Sequence, residues 1–237
     1  MSRLGFLKDK YKGKRLFILG SGKSLKDMPL QLLANEYTFG MNRIGMIFHP
    51  VFYWLATSYS RLAEYRSTVD ASIKIAKYAF ISNTLEDTIR DAPNVYWIKM
   101  LDAGSFQTRP EPGTLTAQYW IDQDVASGSI SAYAHSGFAV FRIAAYMGFN
   151  PIYLLGFDAH YESHPGPGKP DPNHFDEAYE SGEMEKPPAL RELENRQVWD
   201  AHNITMNGFD LMNIAVINVG RDTKLTQYPR LKFEDLF

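Results

Sequence analysis

What most limits the fold of this chain is a set of short apolar runs that alternate with longer mixed stretches. Leu16 to Leu19, Tyr37 to Met41, Val51 to Ala56, Tyr78 to Ser82, Val95 to Lys99, Ile152 to Leu155 and Ala215 to Val219 read as strands. Most are nearly continuous, as expected of strands covered on both faces. Between them, helix-like stretches run over Ser60 to Ser67, Thr84 to Asp91, Ser129 to Met147 and Ala189 to Met212. The alternation predicts an α/β fold with a Rossmann-like, doubly wound, mainly parallel sheet. With 237 residues and 45% hydrophobic content, one substantial core and a single domain over 1–237 are expected. Ligands of such sheets sit beyond the carboxyl ends of the strands, so the residues just after each strand deserve the closest reading.

The first strand leads into "GSGKSL", Gly20 to Leu25. Gly22, Lys23 and Ser24 look like the end of a nucleotide-triphosphatase P-loop, but the Gly required five positions before Gly22 is Phe17, inside the strand. The dinucleotide fingerprint fails as well, because Leu25 stands at its third Gly. A strand, a Gly-Ser-Gly turn and Leu at helical spacing over Lys26 to Ala34 predict a strand-turn-helix unit whose free amides favour an anion. A tight turn alone would also explain the glycines.

Two long irregular regions break the alternation. Leu101 to Ser127 contains "SFQTRPEPGT", and 160–188 is rich in Pro, Gly, His and acidic residues. Both fall on the ligand side of the sheet, and 160–188 is expected to be a lid-like insertion.

The balance of charge is -2, which gives no basic field for nonspecific nucleic-acid binding. The absence of cysteine removes disulfides, thiolate metal sites and cysteine nucleophiles together. With no apolar segment of signal-peptide or membrane-span character, a soluble cytoplasmic protein is expected. The basic residues ahead of Leu16 fit a solvated extension or a peripheral contact with an anionic membrane. The sequence leaves a homo-oligomer open.

Four of the six histidines, His160, His164, His174 and His202, lie in or near the late region. Their spacing matches no metal motif, so no metal is expected. A general base is the better use of an imidazole here. Asn42 follows the second strand and offers a donor and an acceptor to a base or sugar hydroxyl, or a cap to the next segment. Ser136 and Gly137 sit where small residues permit close approach of a ligand, or of packing neighbours. Asp158, after the strand Ile152 to Leu155, is placed to accept a sugar hydroxyl or to cap a turn.

Taken together, "LFILGSGKSL", "FGMNRI" and "HSGFAVFRIAAYMGFNPIYLLGFDAHY" resemble the bacterial sialyltransferases of glycosyltransferase family 42. They are also similar to the related domain of archaeal 6-hydroxymethylpterin diphosphokinases and motility-associated factors. The tail "INVGRDTKLTQYPRLKFEDLF" looks like the ending of many proteins encoded with surface-polysaccharide genes.

The resemblance implies a metal-independent glycosyltransferase of polysaccharide biosynthesis that takes a nucleotide-sugar donor, with a CMP-linked nonulosonic acid as one candidate, and a glycan or lipid-linked acceptor. It implies donor binding by Gly20, Ser21, Gly22, Ser24, Asn42, Ser136, Gly137 and Asp158. The family's loop Asn is Ser21 here, and the Tyr that supports the leaving phosphate falls on His160, with Tyr161 next to it. The family's catalytic His aligns near Arg196, so His174 and His202 are the substitutes by context. The diphosphokinase alternative would use ATP and Mg²⁺ held by carboxylates such as Asp158. A third alternative is nucleotide or sugar binding without turnover.

Overall fold

The computed structural model describes residues 4–56, 62–101, 109–163, 165–177, 179 and 186–237. Eight parallel strands form one sheet: β1 (Leu16–Leu19), β2 (Thr38–Met41), β3 (Phe52–Leu55), β4 (Tyr78–Ser82), β5 (Val95–Met100), β6 (Ser129–Ile130), β7 (Ile152–Leu155) and β8 (Val216–Asn218). Their order is β6-β5-β4-β3-β2-β1-β7-β8. The chain thus winds outward from β1 to β6, then returns to lay β7 and β8 on the other side of β1. The winding direction reverses between β1 and β7, which is where a doubly wound sheet opens a crevice.

The apolar runs are continuous because alternate residues enter two cores. Leu16, Ile18, Phe39, Trp54 and Phe80 pack on one face, while Phe17, Leu19, Tyr53, Leu55 and Ile81 pack on the other. On the first face lie α3 (Ser136–Tyr146) and the 24-residue α4 (Pro188–Leu211), joined by the short α2 (Ala117–Ile121). The second is covered by α1 (Arg66–Ile75), by Leu25, Leu30 and Leu33, and by Phe233 of the tail. Each fully buried Leu or Phe contributes about 1.5–3 kcal/mol relative to an exposed one.

Several expected helices differ. Lys26 to Ala34 is not an α-helix: Asp27 adopts a left-handed φ of 62° and Pro29 follows, leaving 3-10 turns at Lys23–Leu25 and Leu30–Leu33. Thr84 to Asp91 contains only the 3-10 turn Asn83–Leu85 and further turns. The helix expected over Ser60 to Ser67 is displaced along the chain: Ala63–Tyr65 is a 3-10 turn, α1 begins only at Arg66 and runs to Ile75, and the first two residues of the expected span lie outside the described ones. The helix expected over Ser129 to Met147 starts only at Ser136, because Ser129 and Ile130 pair with β5 and Ala134 is left-handed at φ 63°.

The region expected as a lid, 160–188, is irregular where described, yet its centre is anchored. Phe175 donates its amide to the Ser21 carbonyl, His174 bridges to Gly22, and Phe175 and Tyr179 are buried in the second core. His164 lies outside the described residues.

Candidate active site

A cavity of about 560 Å³ opens at the carboxyl ends of β1, β2 and β7, over the crevice. Among the residues singled out in the sequence, Gly20, Ser21, Gly22, Asn42, Ser136, Gly137, Asp158, His160, Tyr161, His174 and His202 all line it. Ser24 does not. It is buried beneath the loop, where its amide donates to Asp158 Oδ2 at 3.0 Å and its hydroxyl donates to Oδ1 of the same carboxylate.

The amides of both glycines of the Gly-Ser-Gly loop are used inside the protein. Gly20 N–H donates to the Leu155 carbonyl and Gly22 N–H to the Gly156 carbonyl. The anion that the expected nest meets is the protein's own Asp158. Burial raises the Asp158 pKa from its ordinary value, against the opposing pull of its bonds to Ser24. Both glycines are required by close approach: a Cβ at Gly20 would collide with the Gly156 carbonyl, and one at Gly22 would stand 2.6 Å from the Asp158 carboxyl carbon.

Asn42 joins three elements. Its Nδ2 donates to Ser136 Oγ at 3.3 Å, its Oδ1 accepts from the Ala56 amide at 3.3 Å, and its carbonyl accepts from the Tyr53 hydroxyl. Its φ of 52° is left-handed, a conformation Asn tolerates; the alanines at 134 and 159 share it at 63° and 55°. All three residues line the cavity. Strained backbone of this kind concentrates at functional sites.

The two histidines proposed as a base occupy different walls. His174 places Nδ1 2.6 Å from Asp171 Oδ2, and Asp171 is itself buried and accepts from the Asn173 amide at 2.7 Å. An ionised Asp171 only accepts, so Nδ1 is the donor of this pair, and in the neutral tautomer that goes with it Nε2 faces away with its lone pair. The imidazole stacks on Tyr179 at 4.1 Å between ring centroids. Tyr179 continues through a column: the Arg43 guanidinium lies 4.9 Å from its ring and 3.6 Å from that of Tyr65.

His202, on α4, is fully buried and stacks on His135 with 4.6 Å between centroids. Desolvation lowers both imidazole pKa values, that of His135 to about 3, so both are neutral near pH 7. His202 Nδ1 lies 3.5 Å from the Tyr228 hydroxyl, at the limit of a hydrogen bond.

His160 and Tyr161 stand at the rim. Burial lowers the His160 pKa, with Lys224 adding to the effect. Tyr161 is held by the Asn195 side chain, which accepts from its amide at 2.6 Å and donates to its carbonyl at 3.0 Å.

The sequence reading missed His135, Arg43, Arg109, Tyr65 and Tyr179, all of which line the cavity. His135 and Arg43 are immediate neighbours of Ser136 and Asn42, a signal of adjacency that was there to use. Arg109 comes from the irregular region after β5, whose residues 102–108 lie outside the described ones. Among the described residues, no group of three or more His, Asp or Glu stands together as metal ligands. Nor, among them, is any helix long and apolar enough to cross a membrane.

No protein-family model and no curated protein sequence matches the chain. Solved structures do match its fold. The sialyltransferase CstII from Campylobacter jejuni, in complex with the substrate analogue CMP-3FNeuAc, is 14% identical with a TM-score of 0.50, over 92% of this chain and 86% of that one. CstII in complex with cytidine-5'-monophosphate is 13% identical with a TM-score of 0.51, over 93% and 85%. The monofunctional alpha-2,3-sialyltransferase Cst-I of the same organism is 17% identical with a TM-score of 0.50, over 92% and 79%. The chain thus has the α/β architecture of these sialyltransferases, across nearly its whole described length.

Proposed function

We propose that the protein is a sialyltransferase-like glycosyltransferase that transfers a sugar from a CMP-linked donor to a glycan hydroxyl. The observation that carries this reading is the Asp171–His174 pair on the wall of a cavity at the sheet's switch point. A base held by a buried carboxylate is the arrangement that activates a hydroxyl. The fold shared with CstII, whose complexes contain CMP and CMP-3FNeuAc, supports the choice of donor.

In this reading the nucleotide lies over Gly20 to Gly22 and Asn42, at the carboxyl ends of β1 and β2. His174 Nε2 takes the proton of the acceptor hydroxyl as its oxygen bonds to the anomeric carbon. The bond from that carbon to the phosphate oxygen breaks, and its electron pair leaves with CMP. Asp171 stabilises the imidazolium that forms, and His160, Tyr161 and the cationic Arg43 and Arg109 stand near the developing phosphate charge. The donor supplies the leaving group, and no step uses a metal.

A thermal-shift panel of CMP, CMP-N-acetylneuraminic acid, UDP-sugars and ATP, each with and without Mg²⁺, tests this reading. CMP and its sugar are expected to raise Tm without Mg²⁺; at a hundred times Kd the stabilisation is about 2.7 kcal/mol. A shift obtained only with ATP and Mg²⁺ overturns the reading in favour of phosphoryl chemistry.

A further inference from the structure

A second hollow lies outside the cavity. It is an open groove of about 790 Å³ between α4 and the segment after β7. Pro188, Arg191, Glu192, Asn195, Arg196 and Trp199 of α4 line it, at the three- and four-residue spacing of one helix stripe. The opposite stripe, with Val198, Ala201, Ile204 and Thr205, is buried in the core. Groove and cavity share two residues, His160 and Tyr161. The Tyr161 ring stands 6.4 Å from that of His174 on one side and 5.8 Å from the Arg191 guanidinium on the other.

The chemistry of the groove narrows what it holds. The Trp199 indole is half-buried and has neither a hydrogen bond nor a ring partner among the described residues. An indole left on a groove wall offers a flat apolar face with one donor, and ligand sites combine such faces with a few polar groups. Arg196 is exposed and has no ion pair among the described residues, and Glu192 is exposed beside it. Charges of both signs line it, Glu162, Glu192 and Asp200 beside Arg191 and Arg196, which disfavours a polyanion and gives a hydroxylated ligand polar partners that an alkyl chain would leave unused. A pyranose satisfies both demands, with its C–H face on the indole and its hydroxyls to carboxylate, guanidinium and amide.

We infer that this groove is a carbohydrate site, in which Trp199 stacks on a pyranose ring of the acceptor. Tyr161 separates it from His174, so a glycan lying in the groove delivers its terminal hydroxyl past Tyr161 to the base. The inference rests on the transferase reading for its role as an acceptor site, but its chemistry is separately testable.

The experiment uses the full chain and two readouts. Saturation-transfer NMR follows a panel of methyl pyranosides, simple disaccharides and the matching octyl glycosides, while thermal shift follows CMP. Wild-type protein is expected to give pyranoside signals; Trp199→Ala is expected to weaken binding roughly tenfold, and Trp199→Phe to retain most of it. The CMP shift is expected to be unchanged in both variants, which also shows that they fold. No pyranoside signal in wild-type protein that CMP still stabilises overturns the proposal. So does pyranoside binding of unchanged affinity in Trp199→Ala, because the sugar then binds elsewhere. Binding of octyl but not methyl glycosides makes the groove an alkyl-chain site and overturns the sugar assignment. A Trp199-dependent sugar signal without any CMP shift leaves the groove standing as a carbohydrate site and removes the donor reading instead.

Discussion

His174 and His202 both border the cavity, yet their surroundings oppose each other. His174 sits in an irregular segment with a buried carboxylate on Nδ1 and a tyrosine ring against its face. His202 sits inside a long helix, against a second buried imidazole that shares its need to stay neutral. Beside the first, a buried carboxylate stands within hydrogen-bond reach as a counter-charge for an imidazolium. The second cannot take a proton without placing a desolvated cation beside His135, which burial penalises. A histidine's fitness as a base is thus set by who receives its charge, and regular secondary structure around it counts for little.

The sharpest way to break this contrast is to remove each histidine. His174→Ala is expected to cut CMP release from a CMP-sugar by roughly a hundredfold or more while CMP affinity holds. Asp171→Asn is expected to lower the rate less than His174→Ala does, since the amide leaves the imidazolium without a counter-charge. Steady-state kinetics across pH 5 to 9 checks both. If His202→Leu costs the larger loss of rate at equal folded fraction, the assignment of the base moves to His202.

A smaller effect separates the two sites through stability. The unfolded chain protonates His135 and His202 below about pH 6.5, whereas the folded chain keeps His135 neutral down to about pH 3 and holds His202 well below its ordinary value. Depressed folded pKa values mean that stability is complete above pH 6.5 and is lost as pH falls. The loss is up to about 1.4 kcal/mol per pH unit for each imidazole. Denaturant unfolding from pH 7.5 to 5 is expected to show this slope, and His202→Leu is expected to flatten it. An unchanged slope in that variant means that His202 is not held neutral by burial.

The smallest effect concerns the opening loop. Lys23 is exposed, and its neighbours' amides are engaged with Gly156 and Asp158. Lys23→Ala is expected to change the CMP-induced thermal shift by less than about twofold in Kd, as expected of a solvated charge. A loss of most affinity would return this residue to the role of a phosphate-binding lysine.

The strands were legible because burial on two faces writes a local, continuous apolar run, and each of the seven expected runs coincides with a strand of the sheet to within a residue or two at either end. β6 escaped notice because two residues carry no periodic signal. The positions after β1, β2 and β7 were legible for a similar reason: a parallel sheet gathers those ends in one place whatever the sequence between them. Helix limits were less so, since Asp27 and Ala134 break their segments through left-handed backbone that composition does not announce.

By itself, then, the sequence determined the sheet, its two-faced core and the short list of residues near its carboxyl edge. The tertiary structure alone decided what those residues do for one another. It gave Asp158 to Ser24, 134 positions away, and Asp171 to His174. It also seated Arg43 between Tyr65 and Tyr179, and set His202 against His135. The physical reason is one of range. Hydrophobic periodicity is a property of neighbours along the chain, whereas a hydrogen bond, a stacked ring or a desolvated charge depends on which distant segment the fold brings within a few ångströms.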